Sequence, residues 1–216
     1  MTIKPLLGAC LLTAIASAVV PSAQAADFRL NPSGHTILMT GPSEPGDEQR
    51  LAAVLEQAQA LGTRVGGIDL NSLGGDFPAS IAVAKAVMRA DLETAVPDDA
   101  SCYGTCLTVF AAGRTKVVFP SSRLAVMAVA TLDPTGRTIP DQATTSRLIE
   151  IYRRLEMPDT ILLKLANARL GEPAYLDARD LDLWGVRTLY PDDLDTPFAT
   201  PRAIPFPFPY GRLPIF

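Results

Sequence analysis

Between Phe28 and Tyr190 the chain alternates short β-prone runs with longer segments that carry apolar residues at helical spacing, and few folds accept that order. The clearest stripe is Leu51, Val54, Leu55, Ala58 and Leu61, in a helix expected over 47–61 that Asp47 caps and Gly62 ends. One or two strands are expected over 28–40 and another over 64–71. A helix over 78–90, apolar on most faces, belongs in an interior. A strand over 92–96, a short buried helix over 105–112, and strands over 115–119 and 123–130 follow. Helices over 140–155, 158–168 and 177–183 and a strand over 186–190 complete the series. The alternation predicts an α/β fold with a mostly parallel sheet and helices on both faces.

The two ends of the chain differ from this pattern. Residues 1–25 read as a secretory signal peptide: Lys4, an apolar run over 6–20, Pro21, then Ala23-Gln24-Ala25 as an A-x-A cleavage signal. A membrane anchor needs about 20 apolar residues, so no stable membrane span is expected and the product is periplasmic or secreted. A lipoprotein reading at Cys10 leaves too short an apolar run ahead of the cysteine. Residues 26–190 then form one domain. The tail over 191–216 is rich in proline and carries Phe198, Phe206, Phe208, Tyr210 and Phe216; it reads as extended, either lying on its own domain or docking a partner.

Charge and rare residues exclude several functions. With 19 basic against 23 acidic residues the net charge is −4, the wrong sign for a nucleic-acid footprint. Three cysteines and one histidine, His35, spell no zinc pattern, and neither metal nor cofactor is expected. After export Cys102 and Cys106 remain, and an oxidising compartment favours their pairing. Positions four apart on a straight helix suit a disulfide poorly, whereas a strand-to-helix corner suits it better. The alternative is two free thiols packed as small hydrophobes.

Two corners have the form of ligand sites. In Asn71-Ser72-Leu73-Gly74-Gly75 a strand stops, two glycines follow and a helix begins, which brings backbone N–H groups close to a ligand. In Cys102-Tyr103-Gly104-Thr105-Cys106 a second strand meets a short buried helix. Together they are able to supply a pair of amide donors, an oxyanion hole.

The order of strand, N-S-x-G-G, helix, strand, small-residue corner, helix ending Ala111-Ala112-Gly113, strand and Pro120–Arg123 resembles the ClpP/crotonase superfamily, in particular the periplasmic ClpP-like proteins of bacteria. Trp184-Gly185-Val186 resembles the family's closing motif. The resemblance spans about 37–190 and implies a serine nucleophile, a histidine and an acid. The serine position falls on Gly104, the histidine position on Met127, and the acid near Arg169 or Gly171. Gly75 and the Thr105 amide fall on the oxyanion donors, with Gly74 beside them. The resemblance also implies self-association into a homo-oligomer.

The chain therefore keeps the scaffold without the Ser-His pair that acyl transfer needs. Its expected role is a non-catalytic peptide-binding or assembly protein. One alternative is a hydrolase with a displaced nucleophile, Thr105, whose hydroxyl is otherwise expected to bond its own helix backbone. Lys85 or Lys116 would then be the base. Ser72 and Ser101 read as turn residues, and Asp69 and Asp76 as capping or solvating carboxylates. A further alternative is a purely structural subunit.

Overall fold

A computed structural model describes residues 25–190. The expected signal segment, apart from Ala25, and the tail over 191–216 lie outside the described residues. The elements follow the alternation. Strands β1 (Asp27–Leu30) and β2 (Thr36–Thr40) lead into α1 (Asp47–Ala60), then β3 (Gly67–Asn71) and α2 (Phe77–Arg89). Next come β4 (Glu93–Val96), β5 (Ser101–Tyr103), α3 (Cys106–Ala111), β6 (Lys116–Val118) and β7 (Arg123–Val126). A hairpin of β8 (Ala130–Leu132) and β9 (Thr138–Pro140) precedes α4 (Gln142–Arg154) and α5 (Asp159–Ala166). Strand β10 (Ala174–Tyr175), helix α6 (Ala178–Leu183) and β11 (Arg187–Thr188) close the domain.

The larger sheet has the order β1-β2-β3-β4-β6-β11 and is parallel except for the β1–β2 pair. A three-stranded sheet, β10-β7-β5, stands beside it, with β5 parallel and β10 antiparallel to β7. The two sheets touch through a parallel bridge between Ser72 and Cys102. That bridge brings the end of β3 to β5, and so the first corner to the second.

Period-two burial explains the large sheet. Ile37, Met39, Ile68, Leu70 and Val96 all point inward and are completely buried. Each such side chain contributes about 1.5–3 kcal/mol of transfer free energy. Helices α1, α2 and α3 lie side by side on this face, and α2 packs with small residues, Ala79, Ser80 and Ala84, that let its neighbours approach. The opposite face, with Leu38 exposed and Asp69 and Ala95 half-buried, carries the strand residues that alternation leaves outward. The small sheet supplies the remaining wall of the core through Cys102, Leu124 and Val126.

Four local differences separate structure from sequence reading. The expected strand over 123–130 stops at Val126, and the chain turns into the β8–β9 hairpin, held by Asp133 at its tip. Strand β10 was not expected, because two residues are too few to show a period. Asp47 is the first helical residue rather than the cap. Its buried carboxylate accepts the Glu44 N–H at 2.7 Å and pairs with Arg50. Leu61 ends α1 and is exposed rather than part of the buried stripe.

Candidate functional site

The first corner is a backbone construction. Gly74 N–H donates to Ser72 Oγ at 3.2 Å, and the same hydroxyl donates to the Gly74 carbonyl at 3.1 Å. Ser43 N–H donates to that carbonyl at 2.8 Å, and Asp76 N–H donates to the Ser43 carbonyl at 2.8 Å. Ser72 is therefore the turn residue expected. Gly75 sits between these bonds at φ +134°, where an added Cβ would lie 2.3 Å from Ser43 N. No residue with a side chain fits there. Asp76 then caps α2, its carboxylate accepting the Ala79 N–H at 2.8 Å.

The second corner is tied by side chains. Cys102 on β5 and Cys106 at the start of α3 form a disulfide, with Cα atoms 5.3 Å apart. Both residues are fully buried. The bridge spans Gly104, which turns the chain at φ +55° and donates its N–H to the Ala125 carbonyl at 2.9 Å. All six residues of α3 are buried, so the corner rests on the core.

The corners meet edge to edge. A Cβ on Gly74 would lie 3.5 Å from Thr105 N. Thr105 Oγ donates to the Gly75 carbonyl at 3.2 Å, across the junction and not to its own helix. That corrects the expectation that the helix backbone takes this hydroxyl; α3 has no side-chain cap, and the facing carbonyl is nearer the hydroxyl's reach. Neither the Gly75 nor the Thr105 amide takes part in the turn and bridge bonds of the described residues.

Gly104 and Met127 face one another. A Cβ on Gly104 would lie 3.8 Å from Met127 Cβ and 4.0 Å from its sulfur, ordinary contact distances. Position 127 follows β7 directly, so the strand aims it at the corner. Continuing the β10–β7 register by one residue, from the Ala174–Val126 pair, sets Pro173 opposite Met127. Arg169 and Gly171 lie before that point and do not reach the cleft.

Around the junction is an open cleft of about 520 Å³. Gly74, Gly75, Gly104, Thr105 and Met127 form one wall. Asp141, Thr144, Arg147 and Leu148 of the α4 region form another. Sequence reasoning missed this second wall. The spacing 141, 144, 148 showed one helical face, but nothing in the sequence said which site it would meet. Asp141 caps α4 through Thr144, whose hydroxyl and N–H hold its carboxyl below the ordinary range. Asp141 is therefore an anion at neutral pH, and the Arg147 guanidinium lines the same wall. Asp76 lines the cleft; His35, Asp69, Lys85, Ser101 and Lys116 do not. Lys116 lies on β6, where burial pushes its ammonium pKa down. Ser101 donates its N–H to Asn71 Oδ1 at 3.2 Å.

No protein-family model matches the chain, and no curated protein matches it by sequence. Solved structures do match in shape. The 1510-N membrane-bound stomatin-specific protease, as a serine-to-alanine variant, superposes with a TM-score of 0.57 at 12% identity, over 73% of this chain and 80% of that one. A lysine-to-alanine variant of the same protease, in complex with a substrate peptide, gives 0.56 at 14% identity, over 73% and 75%. ClpP1 from Listeria monocytogenes gives 0.53 at 12% identity, over 73% and 92%. The fold is therefore ClpP-like. Within that fold this chain sets a left-handed glycine, Gly104, and a methionine, Met127, at the junction.

Proposed function

We propose that this chain is an exported ClpP-like protein that binds extended peptide in the cleft without cleaving it. The observation that carries the reading is the facing of Gly104 and Met127. Acyl transfer needs a hydroxyl or thiol within reach of a base. Here the two facing positions offer backbone and a thioether, and the adjoining strand position offers Pro173. The cleft cation is Arg147, which does not act as a base. Among the described residues the two cysteines are consumed in the disulfide. What remains, the Gly75 and Thr105 amides and the cleft walls, suits a carbonyl-bearing ligand. The stomatin-specific protease of the same fold was solved with a substrate peptide, which supports peptide as the ligand class. Export is supported by the disulfide, a bond that persists in oxidising compartments, and by the signal-like start of the sequence.

The test uses the chain expressed with its own leader and purified after export. Fluorescein-labelled casein peptides should bind saturably by anisotropy, intact casein should remain uncut, and a fluorophosphonate probe should leave the protein unlabelled. Labelling or cleavage that disappears in Thr105→Ala would overturn the proposal in favour of a displaced nucleophile. Absence of any peptide binding would overturn it in favour of a structural role.

A further inference from the structure

Beneath the second corner lies a tyrosine to which the proposed function assigns no part. Tyr152, on the last turn of α4, is 1% exposed, and its hydroxyl donates to the Gly104 carbonyl at 3.2 Å. Thr108 Oγ lies 3.2 Å from the same hydroxyl and completes a chain from Thr108 through Tyr152 to Gly104. Burial pushes the phenol pKa upward, so the group stays a donor throughout the physiological range.

The Gly104–Thr105 peptide is trans, as are all the described bonds. In a trans peptide the carbonyl and the following N–H point in opposite directions. A bond that draws the Gly104 carbonyl down toward α4 therefore turns the Thr105 N–H up, to the Gly74 side and the cleft. The first corner obeys the same rule by other means: Ser43 N–H and Ser72 Oγ hold the Gly74 carbonyl, which orients the Gly75 N–H. The Gly104 carbonyl also accepts the Leu107 N–H of α3 at 3.1 Å, so each cleft amide is aimed by one backbone donor and one side-chain hydroxyl, Ser43 with Ser72 at the first corner and Leu107 with Tyr152 at the second.

We propose that Tyr152 is the positioning residue for the Thr105 amide and joins α4 to the ligand site as one mechanical unit. Thr144, Leu148 and Tyr152 recur at four-residue spacing on one face of α4; the first two line the cleft and the third holds the corner. A ligand seated against α4 and the amide it meets are then registered by the same helix. The affinity part of this proposal rests on the peptide-binding reading; the amide orientation does not.

Selective labelling isolates the bond concerned. Carbonyl-¹³C glycine with ¹⁵N threonine labels only two peptide links, Gly62–Thr63 and Gly104–Thr105, the first an internal reference. In Tyr152→Phe, which removes one oxygen and keeps the ring, the Gly104–Thr105 signal should shift and the Thr105 amide should exchange about five- to tenfold faster. Gly62–Thr63 should stay in place. Ile161→Val, a core truncation away from the cleft, should lower the melting temperature and leave the Thr105 signal unmoved. Labelled casein peptides should bind Tyr152→Phe about five- to tenfold more weakly. A Tyr152→Phe protein that merely loses stability, with the Thr105 signal and exchange as in wild type, overturns the proposal. If that variant does not fold, 3-fluorotyrosine incorporated in the wild-type chain must still move the Gly104 carbonyl resonance, and failure to do so overturns it equally. If wild type binds no peptide, the ligand reading falls and the resonance still decides the role of Tyr152.

Discussion

The first glycine corner and the second do the same geometric task with different materials. At Gly75 the chain is enclosed by the backbone of Ser43 on one side, and an added carbon would overlap it. At Gly104 an added carbon meets only Met127 at contact distance, and the turn is kept by a disulfide, a tyrosine and a left-handed φ. The difference teaches which part of the site is free to change. The first corner fixes the residue type by collision. The second leaves space for a side chain, and in this chain that space is unused.

The largest expected effect breaks the comparison at its rigid end. Gly75→Ala should cost at least about 3 kcal/mol, because strain at φ +134° adds to a backbone clash. Denaturant unfolding measures it, and a stable Gly75→Ala protein would show that the first corner is no more constrained than the second. Next comes the paired change Cys102→Ser and Cys106→Ser, which opens a loop of sequence separation 4. Loop-closure entropy puts its cost at roughly 2 kcal/mol. Unfolding with and without reductant checks it, and reduction should affect wild type only.

Gly104→Ser is smaller: there is room, and only the left-handed turn is penalised, by about 1–2 kcal/mol. With Met127→His added, the two side chains should stand within hydrogen-bonding reach and the fluorophosphonate probe should label Ser at 104. Labelling would sharpen the contrast by showing that the second corner accepts the missing chemistry. The smallest effect lies away from both corners. Burial raises the Asp69 pKa above its ordinary 3.8, against the bonds from Thr36 and Asn31 that lower it. A raised carboxyl favours the folded state below 3.8 and loses that contribution as pH rises through the folded value. Asp69→Asn should therefore gain stability over wild type near pH 7 and show no advantage in acid, read as melting temperature against pH.

Both corners were visible in the sequence because glycine pairs and a C-x-x-x-C spacing are local signals. The alternation implied the α/β order, and counting along the resemblance pointed to Gly104 and Met127; in the structure a Cβ on Gly104 would lie 3.8 Å from Met127 Cβ. What the sequence hid was nonlocal. That Thr105 would reach Gly75 rather than its own helix depends on two loops meeting across 30 residues of chain. The tie from Tyr152 to Gly104 crosses 48 residues, and a buried tyrosine on an amphipathic helix reads as ordinary core. Strand β10, at two residues, exists only because β7 offers it an edge.

The β8–β9 hairpin differs from every other part of the fold around the cleft. Its six strand residues are exposed save a half-covered Ile139, so it contributes almost nothing to the interior. Its tip, from Asp133 to Arg137, is closed by its own carboxylate bonds. Ala130, where it begins, lies at the cleft wall. A loop so independent of the core is a place to graft. A fluorophore or affinity epitope inserted between Pro134 and Gly136 would stand near the mouth of the site while disturbing neither corner, turning the protein into a reporter of its own occupancy.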